Sequence, residues 1–191
     1  MYNWKELLDY INGEIAGMSF ERQPAELYAP IRYVLSMGGK RIRPVLMLMA
    51  YNLYKEKVEV IGSQAMAIEI YHNYTLLHDD LMDRADMRRG MATVHKKWDD
   101  NAAILSGDSM LVMAYRYMQQ GCPAEQLGNV MGLFTETALE IGEGQQYDIE
   151  FETRADVSEE EYIEMIRLKT SVLLACALKI GAWLGNAPRQ D

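Results

Sequence analysis

Apolar residues recur three and four positions apart from Val60 to Leu81, Ile104 to Met118, Leu127 to Ile141 and Tyr162 to Leu184. No segment alternates as a half-buried strand does, so the pattern predicts helix essentially throughout. The punctuation agrees. Ser158 with Glu161 makes a capping box, Gly38 and Gly39 can stop one helix, Pro44 suits the first turn of the next, and Gly185 can end the last. The opening MYNWKELLDYINGEIAGM is amphipathic and mixed in charge, without the basic start and apolar middle of a signal peptide. No repeat of about 20 to 50 residues is present, which excludes a solenoid. The longest apolar stretch, Val172 to Leu184, is interrupted by Lys179 and falls short of the roughly 20 residues a membrane span needs.

Composition narrows this to one globular domain over residues 1–191, since 49% hydrophobic content suffices for a sizeable core. The net charge of -9 argues against nucleic acid or an anionic membrane surface as partner. An anionic substrate must therefore meet local basic clusters. Cys122 and Cys176 have no disulfide or metal spacing, and a cytoplasmic location is expected. The 14 methionines fall mostly on the periodic segments and read as flexible core filler.

Three clusters carry chemistry. In HDDLMD, Asp79 and Asp83 stand one helical turn apart, with Asp80 beside them and His72 seven residues before Asp79 on the same face. Two carboxylates about 6 Å apart repel unless a cation lies between them, and oxygen-only ligands favour Mg²⁺, which shares its remaining positions with water and phosphate. The bland alternative is a solvated acidic helix end. Arg88 and Arg89 follow at once, and their guanidinium forks suit phosphate oxygens, although basic residues before Gly90 also suit a helix C-terminus. The third cluster is MGGKRIRP, where Lys40, Arg41 and Arg43 crowd a helix start whose free amides favour anions.

Taken together, GGKRIRP at 38–44, HDDLMD at 78–83, DMRRG at 86–90, GQQYD at 144–148 and LKT at 168–170 resemble the trans-isoprenyl diphosphate synthase family in order and spacing. The resemblance covers the chain from about Tyr28 to Leu184. It implies an all-α helical bundle of the isoprenoid-synthase type and Mg²⁺-dependent, head-to-tail condensation of isopentenyl diphosphate with an allylic prenyl diphosphate. It implies isopentenyl diphosphate on Lys40, Arg43, His72 and Arg89, the allylic diphosphate on Arg88, and metal on Asp79 and Asp83 with Asp80 adjacent. Lys169 and Thr170 would face the allylic group, and Gln145 and Asp148 would line the opposite helix. Tyr74, five places before Asp79, resembles a stopper of the product pocket; with Tyr71 and Thr75 it favours short C15 to C20 products. A homodimer is the family's habit.

One departure stands out. The family carries a second aspartate-rich motif, and none follows Asp83; Asp99 and Asp100 do not qualify because Ile104 stands where a third carboxylate is sought. The bundle is accordingly expected to be incomplete at its C-terminus, either as part of a longer enzyme or as a subunit that assembles with a partner. Class I terpene cyclases share the acidic motif but not the basic GGKRIRP corner. A non-catalytic subunit that binds isoprenoid diphosphates or a partner chain is the alternative of a different class.

Overall fold

The computed structural model describes residues 1–188. The helices are α1 (Trp4–Gly17), α2 (Ala25–Ser36), α3 (Ile42–Asn52), α4 (Gly62–Met82), α5 (Val94–Lys97), α6 (Asp100–Gln119), α7 (Ala124–Phe151), α8 (Glu159–Ile166) and α9 (Val172–Leu184). A 3₁₀ turn, Val58–Ile61, leads into α4, and a π-helical stretch, Arg167–Ser171, joins α8 to α9. The fold is all-α, as expected, with one small exception. Met87–Arg88 (β1) and Met91–Ala92 (β2) pair antiparallel, so Arg88 and Arg89 belong to a hairpin rather than to a helix C-terminus.

The long segments lie where the hydrophobic period puts them, and their ends follow local chemistry. α7 runs ten residues past Ile141, the last position of its apolar period, and Gln145, Gln146 and Ile149 of its later turns line an open space against α4. Ser158 and Glu161 form the expected capping box on α8, and Pro44 lies in the first turn of α3. Gly185 does follow α9, but with an ordinary right-handed φ. The left-handed residue is Asn186, which lets Ala187 N–H reach the Ala182 carbonyl and Asn186 N–H reach that of Trp183. That pair of bonds is a Schellman closure, with asparagine in the place glycine usually takes.

α4 is the axis of the molecule. Its first half, from Gly62 to Tyr71, is buried almost all round, packed chiefly on α6 and also on α3, while α3 packs on α9 and α9 on α7. Close approach needs small residues. At Gly181 a Cβ would overlap the Met47 carbonyl of α3, and at Gly107 it would overlap the His78 ring of α4. The core cluster joins Leu48, Ile68, Ile70, Met110, Phe134 and Ile180 from five of these helices. Beyond Tyr71 the helix emerges, and its last two turns line open space. No helix among the described residues is long and apolar enough to cross a membrane.

Candidate active site

α4 ends in an electrostatically awkward way. Asp79 and Asp80 occupy its last turn and Asp83 caps it, with no basic residue in that turn, although the carboxyl end of a helix already carries partial negative charge. The chain leaves α4 through a Schellman closure: Ala85 N–H bonds the Asp80 carbonyl and Arg84 N–H that of Leu81, with Arg84 left-handed. It then turns back as the β1–β2 hairpin. Arg89 and Gly90 both have positive φ, as a two-residue hairpin turn requires. Thr93 Oγ1 donates to the Ala85 carbonyl at 2.7 Å and Tyr33 Oη to that of Ala92 at 2.9 Å, which pins the hairpin against the helix end.

This fold-back places Arg88 over the acids. Arg88 Nε donates to Asp80 Oδ2 at 2.8 Å, and Arg88 Nη2 lies 3.7 Å from Asp79 Oδ2. The hydrogen bond to Asp80, helped by both neighbouring carboxylates, holds this guanidinium above its ordinary range against the cost of burial. From the other side, Lys169 Nζ contacts Asp79 Oδ1 at 3.2 Å and Asp148 Oδ2 at 2.5 Å. Burial alone would lower the Lys169 ammonium, but those two carboxylates outweigh it and raise it. Lys169 reaches both because it sits on the π-helical stretch, pressed on α7 where residue 144 is glycine. A Cβ on Gly144 would overlap the Lys169 backbone nitrogen and Leu168. Asp148 stands one turn further along α7. Thr170 is exposed beside Lys169.

Asp79, Asp80 and Asp83, the expected metal group, stand together at the end of α4, and Arg88 meets both Asp79 and Asp80. Asp80 is 6% exposed and engaged by Arg88, and among the described residues no group of three His, Cys, Asp or Glu side chains is gathered to hold a metal alone. Asp79 and Asp83, one turn apart, offer carboxylate oxygens of the kind a hard cation takes when phosphate and water oxygens complete its shell. The Asp83 carboxylate has no hydrogen-bond or ion-pair partner among the described residues, and burial together with the charge of Asp79 pushes it up. Excess anionic charge without a partner is what a divalent ion would relieve.

The basic corner is a separate cavity of about 450 Å³, on the same helix two turns back. Seven residues separate His72 from Asp79, about 10 Å along the axis. Lys40, Arg41, Arg43, Glu69, His72 and Arg89 line it, with Gly39 and Ile42. Arg43 Nη1 lies 3.2 Å from His72 Nε2. Burial, then the charges of Arg43, Arg89, Arg88 and Arg41, push the imidazole down to about 3, so it is neutral and accepts from Arg43. Arg43 Nε is buried without a partner, and burial lowers Arg43 and Arg89 alike. Arg89 Nη1 donates to the Gly38 carbonyl across a gap that Gly39 leaves clear, since a Cβ there would meet the Arg89 guanidinium. Of the three cations crowded into the corner, Arg41 does not face outward: it is 4% exposed and paired with Glu69.

A third space, about 240 Å³, lies between α4 and α7. Asp79 and Gln145 stand at one end, and Tyr71, Tyr74, Thr75, Ala138 and Ile141 line it. Tyr71 stacks edge-on with Tyr74 at 5.4 Å and with Phe134 at 5.3 Å, and its hydroxyl donates to the Ala138 carbonyl at 3.3 Å. Sequence reasoning missed Glu69 as a member of the site. Its signal was an acid embedded in the apolar run AMAIEIY.

The family model described as Polyprenyl synthetase matches residues 24–191. The chain belongs to this family. Among its relatives are the geranylgeranyl diphosphate synthase of Methanosarcina mazei, 45% identical over 86% of the chain, and the geranylfarnesyl diphosphate synthase of Natronomonas pharaonis, 38% identical over 94%. These matches take in 51% and 58% of those relatives, so the chain spans about half the length of the curated polyprenyl synthetases it matches. A crystal structure of a geranylgeranyl pyrophosphate synthase superposes with a TM-score of 0.94 at 47% identity, covering 100% of this chain and 58% of the other.

Proposed function

We propose that the chain carries the diphosphate-handling half of a short-chain prenyl diphosphate synthase, joining isopentenyl diphosphate head-to-tail to an allylic prenyl diphosphate. The observation that supports it best is the arrangement along α4: a cationic cavity at His72 and an anionic helix end at Asp79 and Asp83, about 10 Å apart. Two anionic substrates held by unlike means would lie side by side there. Lys40, Arg43, His72 and Arg89 take the diphosphate of isopentenyl diphosphate, with neutral His72 keeping the Arg43 fork in place. Arg88 takes the allylic diphosphate.

Asp79 and Asp83 would hold Mg²⁺, which supplies charge neutralisation for a departing diphosphate. Arg88 and Lys169 put fixed positive charge beside the same oxygens, where it stabilises developing negative charge without reorganisation. In the reaction the allylic carbon–oxygen bond breaks and diphosphate leaves. A carbon–carbon bond then forms to the isopentenyl double bond, and a proton is lost. Thr170, exposed next to Lys169, is placed to contact the allylic group, and Gln145 and Asp148 supply the α7 wall. The space between α4 and α7 takes the apolar tail, with Tyr71, Tyr74 and Thr75 as its floor. The names of the relatives move the favoured product from the C15 to C20 range toward geranylgeranyl and geranylfarnesyl chains, C20 to C25. A copy of itself is the partner the family suggests.

Incubating the chain with Mg²⁺, labelled isopentenyl diphosphate and each of dimethylallyl, geranyl and farnesyl diphosphate tests this. A lengthened diphosphate is the expected result. Folded protein that makes no product from any primer would sink the activity for these 191 residues.

A further inference from the structure

The basic corner is braced by a buried ion pair, Arg41 with Glu69, at the back of the cavity wall. Arg41 adopts φ 49°, a left-handed conformation that costs a residue with a Cβ about 1 kcal/mol or more and persists only where its surroundings over-determine it. Here they do. Arg41 Nη1 pairs with Glu69 Oε1, Nη2 donates to the Leu35 carbonyl at 2.9 Å, and Nε to Asn12 Oδ1 at 3.5 Å. Glu69 is 2% exposed, and Oε1 also accepts from Asn73 Nδ2 at 2.9 Å, which in turn bonds the Glu69 carbonyl at 2.8 Å. The carboxylate is thereby fixed on α4 one turn from His72.

α4 thus holds the corner at two points: Glu69 on Arg41, and His72 on Arg43. Lys40 and Arg43 flank Arg41 at one and two residues, so releasing Arg41 moves both. Glu69 is also the one carboxylate among the residues lining this cavity, and it offsets the mutual repulsion of its cations. We infer that Glu69 is a positioning residue for the isopentenyl diphosphate site, acting through Arg41 and held by Asn73. The inference rests on reading the cavity as a diphosphate site.

Titrating isopentenyl diphosphate into the chain by calorimetry, without divalent metal, separates this role from a merely structural one. Glu69→Gln keeps the shape but replaces a charge-assisted bond with a neutral one, and its affinity should fall about tenfold. That variant leaves Arg41 as an uncompensated buried charge, so the double variant Arg41→Met/Glu69→Leu accompanies it. Replacing a buried pair by apolar residues of similar volume commonly preserves stability. The double variant is expected to keep a near-native Tm and still bind about tenfold more weakly. Native affinity in the double variant, or tighter binding in Glu69→Gln, would overturn the inference. A wild-type chain that binds no isopentenyl diphosphate would instead remove the reading of the cavity on which it rests.

Discussion

His72 couples the basic cavity to the stability of the fold. Its imidazole is pushed down to about 3 from the ordinary 6.5, first by burial and then by the surrounding arginines. Between those values the unfolded chain binds a proton that the folded chain does not, so stability rises with pH across the window. The stabilisation is fully present above about pH 6.5 and is lost as pH falls toward 3. Urea midpoints measured between about pH 4 and 7 should therefore drop toward acid in the wild type, and the drop should be shallower in His72→Gln. Equal slopes would mean the histidine is already protonated in the folded state. At this scale the motif residues were legible because their chemistry is stated by type and spacing. Which of them turn inward was not. Arg41 and Asp80 look like ligand hands in the sequence and are instead met by Glu69 and Arg88, through pairings that join residues distant in the chain or across the fold-back from α4 to β1.

Lys169 reaches Asp79 and Asp148 only because a π-helical stretch lies against α7 at Gly144. Gly144→Ala should push that stretch away, lowering stability by about 1–3 kcal/mol and lowering elongation more than its stability loss explains. Thermal melting beside an activity assay reads both, and native behaviour in both would refute the close-packing argument. Ser158→Ala, by contrast, removes only the cap of α8 and should cost about 1 kcal/mol in a denaturant titration, with elongation preserved. The long helices were plain from their hydrophobic period. The hairpin was not, because two-residue strands are too short to show alternation; its trace in the sequence is Arg89-Gly90, a turn with positive φ at both positions. A π-helical turn leaves no periodic signature either, since it adds one residue within an otherwise helical pattern.

Across the whole molecule, α4 ties the three spaces together: the cationic cavity at His72, the acidic end at Asp79 and Asp83, and the aromatic-floored space against α7. Tyr74 touches both Tyr71 and His78 edge-on, at 5.4 and 4.9 Å, so its ring is held in the wall rather than free to swing aside. Tyr74→Ala should lengthen the product by at least one five-carbon unit, read by chromatography of the dephosphorylated alcohols; an unchanged product would place the floor elsewhere. On this reading the acidic end of α4 works with a divalent cation on a departing diphosphate. The most direct test is the rate of isopentenyl diphosphate incorporation as Mg²⁺ is varied, for wild type and Asp79→Asn. Elongation should depend on the metal and fall on the order of 100-fold or more in the variant, as loss of preorganised charge stabilisation does. Elongation of equal rate and equal metal dependence in the two proteins would contradict it.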